Sequence, residues 1–343
     1  MKQFIALLIL TGLIKKGSYA EYWATDYLVY TPAFSAVMSR DRFMLLKRCL
    51  HFNDNQAQGY DPQAPDRDRL HKIRPFVDAL NERCKIVWIP GKNLTVDETL
   101  ILFRGRLLFK QTIRTKRARA GIKMYPLCTS DGITLGFRIH TGDKDGYSYA
   151  DANAGIEFLA SEQIVLCLVE HYFDDGYHVY TDNYYTSPQL VTKRTHLCGT
   201  MRLNRRNFPT QQLTAHNLER GKIVHYIDDD KHLMAVKYRE ARDRASGQPK
   251  VVHMLTTMHN RTTVNTGRRT RRDLEIIKPK CVSDYNKYMG GVDLTDQQLG
   301  LQSICPMRKT LKWYHKVAIR LILQMLLKVY IELVLIMELH GRS

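Results

Sequence analysis

At Asn93 the spacing of apolar residues changes, and this change restricts the fold more than any other feature of the chain. From Met1 to about Pro90 apolar residues recur at three- and four-residue intervals, as in Phe43, Leu46 and Leu50 after Ser39-Arg40-Asp41, and in Ile73, Val77 and Leu80. That is the period of helices with one buried face. Asp54 to Pro65, rich in Asn, Gln, Asp and Pro, reads as a surface loop between them. Beyond Asn93 come short β-branched and aromatic runs: Leu94 to Phe103, Ile122 to Cys128, and Ile133 to His140, the last two joined by Thr129-Ser130-Asp131-Gly132. A helix over Ala150 to Tyr172, a strand over His178 to Thr181, a helix from Ser187-Pro188 through His196 and a strand over Gly199 to Leu203 complete the order β-β-β-α-β-α-β. Arg205 to about Arg272 then interrupts with three more strands, Ile223 to Ile227, Leu233 to Tyr238 and Val251 to Thr257, as a small β-rich insertion. Its turns fall at Asp228-Asp229-Asp230-Lys231 and Ser246-Gly247-Gln248-Pro249, and the basic stretch Arg268-Arg269-Thr270-Arg271-Arg272 follows. The pattern predicts an α/β protein with helices flanking a sheet.

Two apolar segments bear on membranes. Phe4 to Ile14 lies between Lys2 and Lys15-Lys16 and is followed by Ser18-Tyr19-Ala20, the outline of a secretory leader. Lysines placed directly after the apolar run favour a buried helix instead. Val317 to Leu339 is long enough to cross a bilayer, but Arg320, Lys328, Glu332 and Glu338 interrupt it at helical intervals. A charge at mid-membrane costs a few kcal/mol, so the run predicts a buried helix with a polar stripe. Seven dispersed cysteines without C-x-x-C spacing predict reduced core thiols and a cytosolic or nuclear setting, and no zinc site.

Three acids stand out by context: Asp97 within Leu94-Thr95-Val96-Asp97-Glu98, Asp182 at the end of the His178 to Thr181 strand, and Asp293 after Gly290-Gly291, with Asp296 three residues on along the same helical face. A carboxylate in an apolar strand is costly unless it faces a cation or a wet cleft. Singly, these acids read as a salt bridge, a turn former and a helix cap. Together, without His or Cys partners, they suit Mg2+ or Mn2+, hard ions that bind a few carboxylates and leave positions for phosphate and water. Two such ions are suited to phosphodiester chemistry.

The blocks around these acids resemble those of piggyBac transposases: Leu94-Thr95-Val96-Asp97-Glu98 with Phe103-Arg104-Gly105-Arg106, Thr181-Asp182-Asn183-Tyr184-Tyr185-Thr186-Ser187, and Tyr285-Asn286-Lys287-Tyr288-Met289-Gly290-Gly291-Val292-Asp293-Leu294-Thr295-Asp296-Gln297. Val37-Met38-Ser39-Arg40-Asp41-Arg42-Phe43 to Leu50-His51-Phe52-Asn53-Asp54 resembles an earlier block. The resemblance implies a ribonuclease H-like catalytic core, a mixed sheet with flanking helices, carrying the β-rich insertion and flanked by a helical dimerisation and DNA-binding region built from both chain ends. On that basis residues 1–91 and 302–343 form the flanking region, 92–201 and 278–301 the core, and 202–277 the insertion. It also implies that Asp97, Asp182 and Asp293 are the catalytic, metal-binding triad, with Asp296 as the additional acid near the metals. Members of the family nick transposon ends, form a hairpin by attack of the freed 3′ hydroxyl on the opposite strand, and join the end to a TTAA target. They continue past the last helix into a cysteine-rich zinc-binding domain, and start before the position matching Met1. The expectation is therefore a truncated transposase, or a domesticated relative that binds DNA without transposing.

A net charge of +18, from 52 basic and 34 acidic residues, points to a polyanionic partner. Arg104, Arg106, Lys110, Arg114, Lys116, Arg117 and Arg119 follow the first acid, and Arg202, Arg205 and Arg206 follow the fifth core strand. They are the candidate DNA-binding residues, contacting phosphates rather than reading bases. The partners expected are double-stranded DNA and a second copy of the chain, in the nucleus, with no membrane and no small-molecule cofactor.

Overall fold

The computed structural model describes residues 1–56, 60–113, 120–142, 158–192, 195–230, 232–243, 249–269, 273, 275–301 and 312–340. Four helices precede the sheet: α1 (Lys2–Leu13), α2 (Pro32–Val37), α3 (Arg40–Cys49) and α4 (Arg74–Val87). In α1, Phe4, Leu7 and Leu8 share the buried stripe. They pack with Tyr22, Phe34 and Phe43, and also with Ile319 and Leu323 near the other end of the chain. The apolar run Phe4 to Ile14 is thus a helix inside a core formed by both chain ends. Ser39 starts α3 by accepting the Arg42 N–H at 3.4 Å, with Asp41 in the first turn and Lys47 and Arg48 in the last. Both charge placements complement the helix dipole.

The strands are β1 (Asn93–Val96), β2 (Thr99–Leu102), β3 (Gln111–Thr112), β4 (Ala120–Thr129) and β5 (Thr134–Ile139), then, after α5 (Ala160–Val169), β6 (His178–Thr181) and β7 (His196–Thr200). Gly132, with φ +90°, supplies the left-handed residue of the turn between β4 and β5. On β4, Leu127 faces Val96 along one edge and Gly136 along the other, so β4 runs between β1 and β5. On its far edge β1 pairs in parallel with β6, and β6 in parallel with β7. The core order is therefore β5-β4-β1-β6-β7, with β2 continuing β1 along β4.

Side chains alternate across this sheet as a period of two requires. Leu94, Val96, Val179 and Leu197 meet Ile164, Val165 and Leu168 of α5 on one face. On the other face Tyr180 and Cys198 pack with Cys281 and Val282 of α7 (Lys280–Tyr288). The other half of the sheet, through Ile101, Ile122 and Phe137, buries Val77 of α4 with Val317 and Leu321 of α9 (Trp313–His340). No helix among the described residues is long and apolar enough to cross a membrane.

After α6 (Thr210–Ala215) the insertion strands follow as β8 (Ile223–Asp228), β9 (Leu233–Asp243) and β10 (Pro249–Thr256). They are not a separate layer: β10 pairs antiparallel with β7, Leu255 opposite Gly199, and extends the core sheet to β8. A hairpin of β11 (Thr263–Arg269) and β12 (Glu275–Pro279) leads to α7 and then α8 (Gly291–Leu301).

Two sequence expectations are corrected. The helix expected from Ser187 through His196 is only a 3-10 stretch, Pro188–Thr192, and His196 already belongs to β7. The ladder bonds of β7 to β6 and β10 hold 196–200 extended, so the strand also begins and ends three residues earlier than expected. The helix expected over Ala150 to Tyr172 is α5 with a 3-10 extension Glu170–Tyr172; residues 150–157 of it lie outside the described residues, as do Ser246, Gly247 and Gln248, Thr270 to Arg272, and Cys305.

The helix α8 docks on the sheet through Gly291. A Cβ there would lie 2.1 Å from the Thr129 carbonyl oxygen and 2.7 Å from Thr95 Cγ2, whereas one on Gly290 would meet nothing within 4 Å. Replacing Gly291 by Ala should destabilise the protein by about 3 kcal/mol, the upper end of overpacking costs, and Gly290→Ala by less than about 1 kcal/mol. Urea unfolding of the two variants measures this; equal losses would mean that α8 is not held at Gly291.

Candidate active site

The first candidate acid sits where a strand is interrupted. Val96 lies opposite Leu127 and Thr99 opposite Met124, so β1 and β2 keep one register along β4 and break only at Asp97-Glu98. The position facing Asp97 is Pro126. Backbone groups alternate between strand edges. Ala120 accepts from Phe103 N on the β2 edge and Lys123 accepts from His140 N on the β5 edge, which turns the Pro126 nitrogen toward Asp97. Proline has no N–H to return to that neighbour, and the ladder opens for two residues. The strand expected from Leu94 to Phe103 is split for this reason, and Asp97 lies at the break rather than inside the strand. Its Oδ1 accepts from the Glu98 N–H at 2.7 Å.

The pairing of Val96 with Thr181 puts Asp97 and Asp182 one residue beyond adjoining parallel strands, at their carboxyl ends. Open α/β sheets bind ligands there. The turn after β6 is built to present Asp182. Thr186 Oγ1 donates to the Asp182 carbonyl oxygen at 2.7 Å, and Asp182 Oδ1 accepts from Tyr184 N at 2.8 Å. Burial raises the Asp182 pKa, the N–H of Tyr184 opposes this, and the negative charge of Glu98 adds to the rise. Ionised Asp182 is thus less favourable in the fold than in water, the condition under which a carboxylate gains from a cation beside it. Two tyrosines register both acids. Tyr185, whose hydroxyl donates to Glu98 Oε2 at 3.3 Å, is raised by burial and by the charges of Glu98, Asp97 and Asp182. Tyr285 on α7 is pushed up to about 12 by burial, with Asp182 and Asp97 adding. Asp97 and Asp182 therefore lie at the neighbouring carboxyl ends of β1 and β6.

The helix α8 stands beside them. Thr95 Oγ1 donates to the Met289 carbonyl oxygen at 3.0 Å, and Thr295 Oγ1 to that of Gly132 at 2.6 Å. Asp293 lies exposed in the first turn, where the helix dipole favours an acid. Asp296 meets different surroundings. Thr99 Oγ1 donates to it at 2.6 Å and Arg320 Nη2 of α9 at 2.5 Å. Its carboxylate joins β2, α8 and α9. Among the described residues no three His, Cys, Asp or Glu side chains lie close enough together to hold a metal ion. The structure brings Asp97 and Asp182 together, and leaves Asp293 outside a three-acid group with them. The donors at hand are all carboxylate oxygens, which fits a hard divalent ion in kind.

Among the basic candidates, Arg202 and Arg205 are drawn to the same turn: Arg202 Nε donates to Asn183 Oδ1 at 3.0 Å, and Arg205 donates to the carbonyl oxygens of Asn183 and Tyr184. Arg206, Arg104 and Arg106 are exposed, and Lys110 Nζ donates to the Gly105 carbonyl oxygen at 3.3 Å. Burial, and after it the Arg104 charge, lowers the Lys316 pKa. Arg114, Lys116, Arg117 and Arg119 lie outside the described residues. Sequence reasoning missed Lys123, whose Nζ stands 4.9 Å from the Tyr125 ring centroid and 5.2 Å from that of Tyr184. A lysine within an otherwise apolar strand was the available signal. It also missed Tyr285 and the Thr99 and Arg320 partners of Asp296, which only the packing of distant segments reveals.

The family described as Transposase IS4 matches residues 1–327, and the human PiggyBac transposable element-derived protein 3 is 26% identical over 320 residues, 91% of this chain and 51% of that protein. The chain belongs to the piggyBac-type transposases. The human PiggyBac transposable element-derived protein 2 is 23% identical, with 92% of this chain and 52% of that protein covered. A piggyBac transposase, solved as a synaptic complex with hairpin DNA, superposes with a TM-score of 0.74 at 25% identity over 93% of this chain and 63% of that one. The chain spans about half the length of these human relatives. Its mixed sheet and flanking helices form the ribonuclease H-like core of this family.

The Asp296–Arg320 pair, with side chains 31% and 19% exposed, sets a measurable cost. Arg320→Met should destabilise the protein on the order of 2 kcal/mol, below the ~3–5 kcal/mol of a fully buried pair because Asp296 keeps some water. Adding Asp296→Asn should recover part of the loss, since it removes the stranded charge. Denaturant unfolding of the single and double variants checks this; additive losses would contradict it.

Proposed function

We propose that this chain is the catalytic region of a DNA transposase that cleaves and transfers strands at TTAA sites with Mg2+ or Mn2+ bound. The observation that carries the reading is the parallel register of Val96 with Thr181, which sets Asp97 and Asp182 at neighbouring strand ends in a member of a transposase family. Asp97 and Asp182 would hold the ion, and Asp293, outside a three-acid group with them here, would join as a ligand by a shift of α8 when metal and DNA bind. Asp296, engaged by Thr99 and Arg320, contributes by tethering the helix that bears Asp293. A divalent ion held there supplies a bound water of lowered pKa and neutralises charge on the phosphoryl oxygens. The protein's own part is positional. Asp97 and Asp182 would hold the ion that orients the phosphate, and Arg202, Arg205 and Arg206 would approach the strand beside Asp182. Arg104, Arg106 and Lys110 supply phosphate contacts on the far side of the first acid. Double-stranded DNA as substrate, action as a homodimer and a nuclear location belong to the same proposal, which the +18 charge supports.

A second reading is a domesticated DNA-binding protein that keeps the fold without transposition. The absence of a three-acid group among the described residues favours it. Cleavage separates the two. The chain, incubated with Mg2+ or Mn2+ and a duplex ending in TTAA, should nick the strand at that end. Asp97→Asn and Asp182→Asn should lower nicking at least about 100-fold while leaving DNA affinity equal or slightly tighter, because they remove negative charge near phosphate. Binding should weaken with salt at a slope of about −0.9 per phosphate contacted. Salt-dependent binding with no metal-dependent nicking would select the second reading.

A further inference from the structure

Beside Asp182 stands an aromatic ring that strand cleavage by the acids does not use. Tyr184 is 37% exposed, whereas Tyr125 and Tyr185 next to it are 3% and 0% exposed. Its backbone N–H is bonded to Asp182 Oδ1 at 2.8 Å, so the ring is anchored to the acid itself. Two cations border it: Lys123 Nζ is 5.2 Å and the Arg202 guanidinium carbon 6.0 Å from the ring centroid. Tyr185 supports it edge-on, with centroids 5.0 Å apart and planes at 90°. Among the described residues neither Lys123 nor Arg202 has a carboxylate within ion-pair distance, although Arg202 Nε donates to Asn183 Oδ1.

A partly exposed aromatic ring with two long, movable cations over it matches the two parts of a nucleotide, a base that stacks as the cations move aside and a phosphate that pairs with them. In a duplex the base faces are covered by their neighbours, so only an unpaired nucleotide has a face to offer. We propose that Tyr184, with Lys123 and Arg202, is a subsite for one unstacked nucleotide of the DNA strand next to the scissile phosphate. This rests on the DNA-cleaving reading above and adds a contact that discriminates frayed or single-stranded ends from intact duplex. The buried tyrosines cannot serve, since their rings are covered. The backbone bond to Asp182 couples the subsite to the acid, so a base seated on the ring holds its own phosphate beside Asp182.

A double-mutant cycle on binding tests this without cleavage. The full chain in Ca2+ is titrated with a duplex carrying a four-nucleotide single-stranded tail, and with the same duplex in which the tail nucleotide next to the junction is abasic. The wild-type chain should bind the intact tail about 10-fold tighter than the abasic one, within the range of base-aromatic stacking. Tyr184→Ala should remove that difference, Tyr184→Trp should keep or enlarge it, and Tyr184→Leu, which keeps apolar bulk, should retain little of it. Affinity for blunt duplex should stay within about twofold in all three. An equal penalty for the abasic tail in wild type and Tyr184→Ala, or a uniform loss on blunt and tailed DNA, would overturn the subsite while leaving the DNA-cleaving reading standing. Failure of the wild-type chain to bind either DNA would instead remove that reading and the subsite with it.

Discussion

The site depends on one pairing, the parallel alignment of β1 with β6. It alone brings residues 85 positions apart in sequence, Asp97 and Asp182, to neighbouring strand ends. Everything around it reinforces the arrangement. Val96 and Val179 bury against α5 on one face, while Thr95 and Tyr180 on the other receive the end of α7 and the start of α8. A one-residue slip in this register would turn the apolar set outward and drive the acids into the core. The acids are thus held by hydrophobic patterning, and their own charge is tolerated because the strands end beneath them.

Proline at position 126 has the complementary role. By withholding one ladder bond it opens β1–β2 where the first acid needs room, while Leu94, Val96, Ile101 and the β4 residues opposite keep both halves in register. The helix α8 is then fixed by a glycine that lets two backbones touch and by the Asp296, Thr99 and Arg320 contacts that tie it to β2 and α9. Asp293 and Asp296, alike in sequence and three residues apart, differ because one faces solvent and the other faces an arginine from the end of the chain.

Much of this was legible in sequence because burial leaves a period. The change at Asn93, the hairpin at Gly132, the helix at α5 and the three insertion strands follow from local pattern and turn chemistry. The helix expected from Ser187 through His196 does not extend to His196, because that residue already pairs with His178 of β6, a tertiary effect that local pattern does not carry. For the same reason the insertion strands were recognised but not their junction with β7. Asp97 stands out in sequence as an acid within an apolar strand and Asp182 as one at a strand end, whereas their adjacency follows only from the pairing of β1 with β6. Lys123 and Tyr184 gain meaning only when β4 and the β6–β7 turn are seen together, and Arg320 only when α9 is folded back onto α8.

On the proposed function the adjoining ends of β1 and β6 would form a metal-binding, DNA-cleaving centre. Anomalous diffraction from crystals of the chain grown with Mn2+ and a TTAA-ended duplex tests this most directly. The prediction is an anomalous peak between Asp97 and Asp182, about 2.1 Å from an oxygen of each, with the DNA phosphate beside it. Mn2+ bound elsewhere, or DNA bound with those strand ends empty of metal, would contradict it.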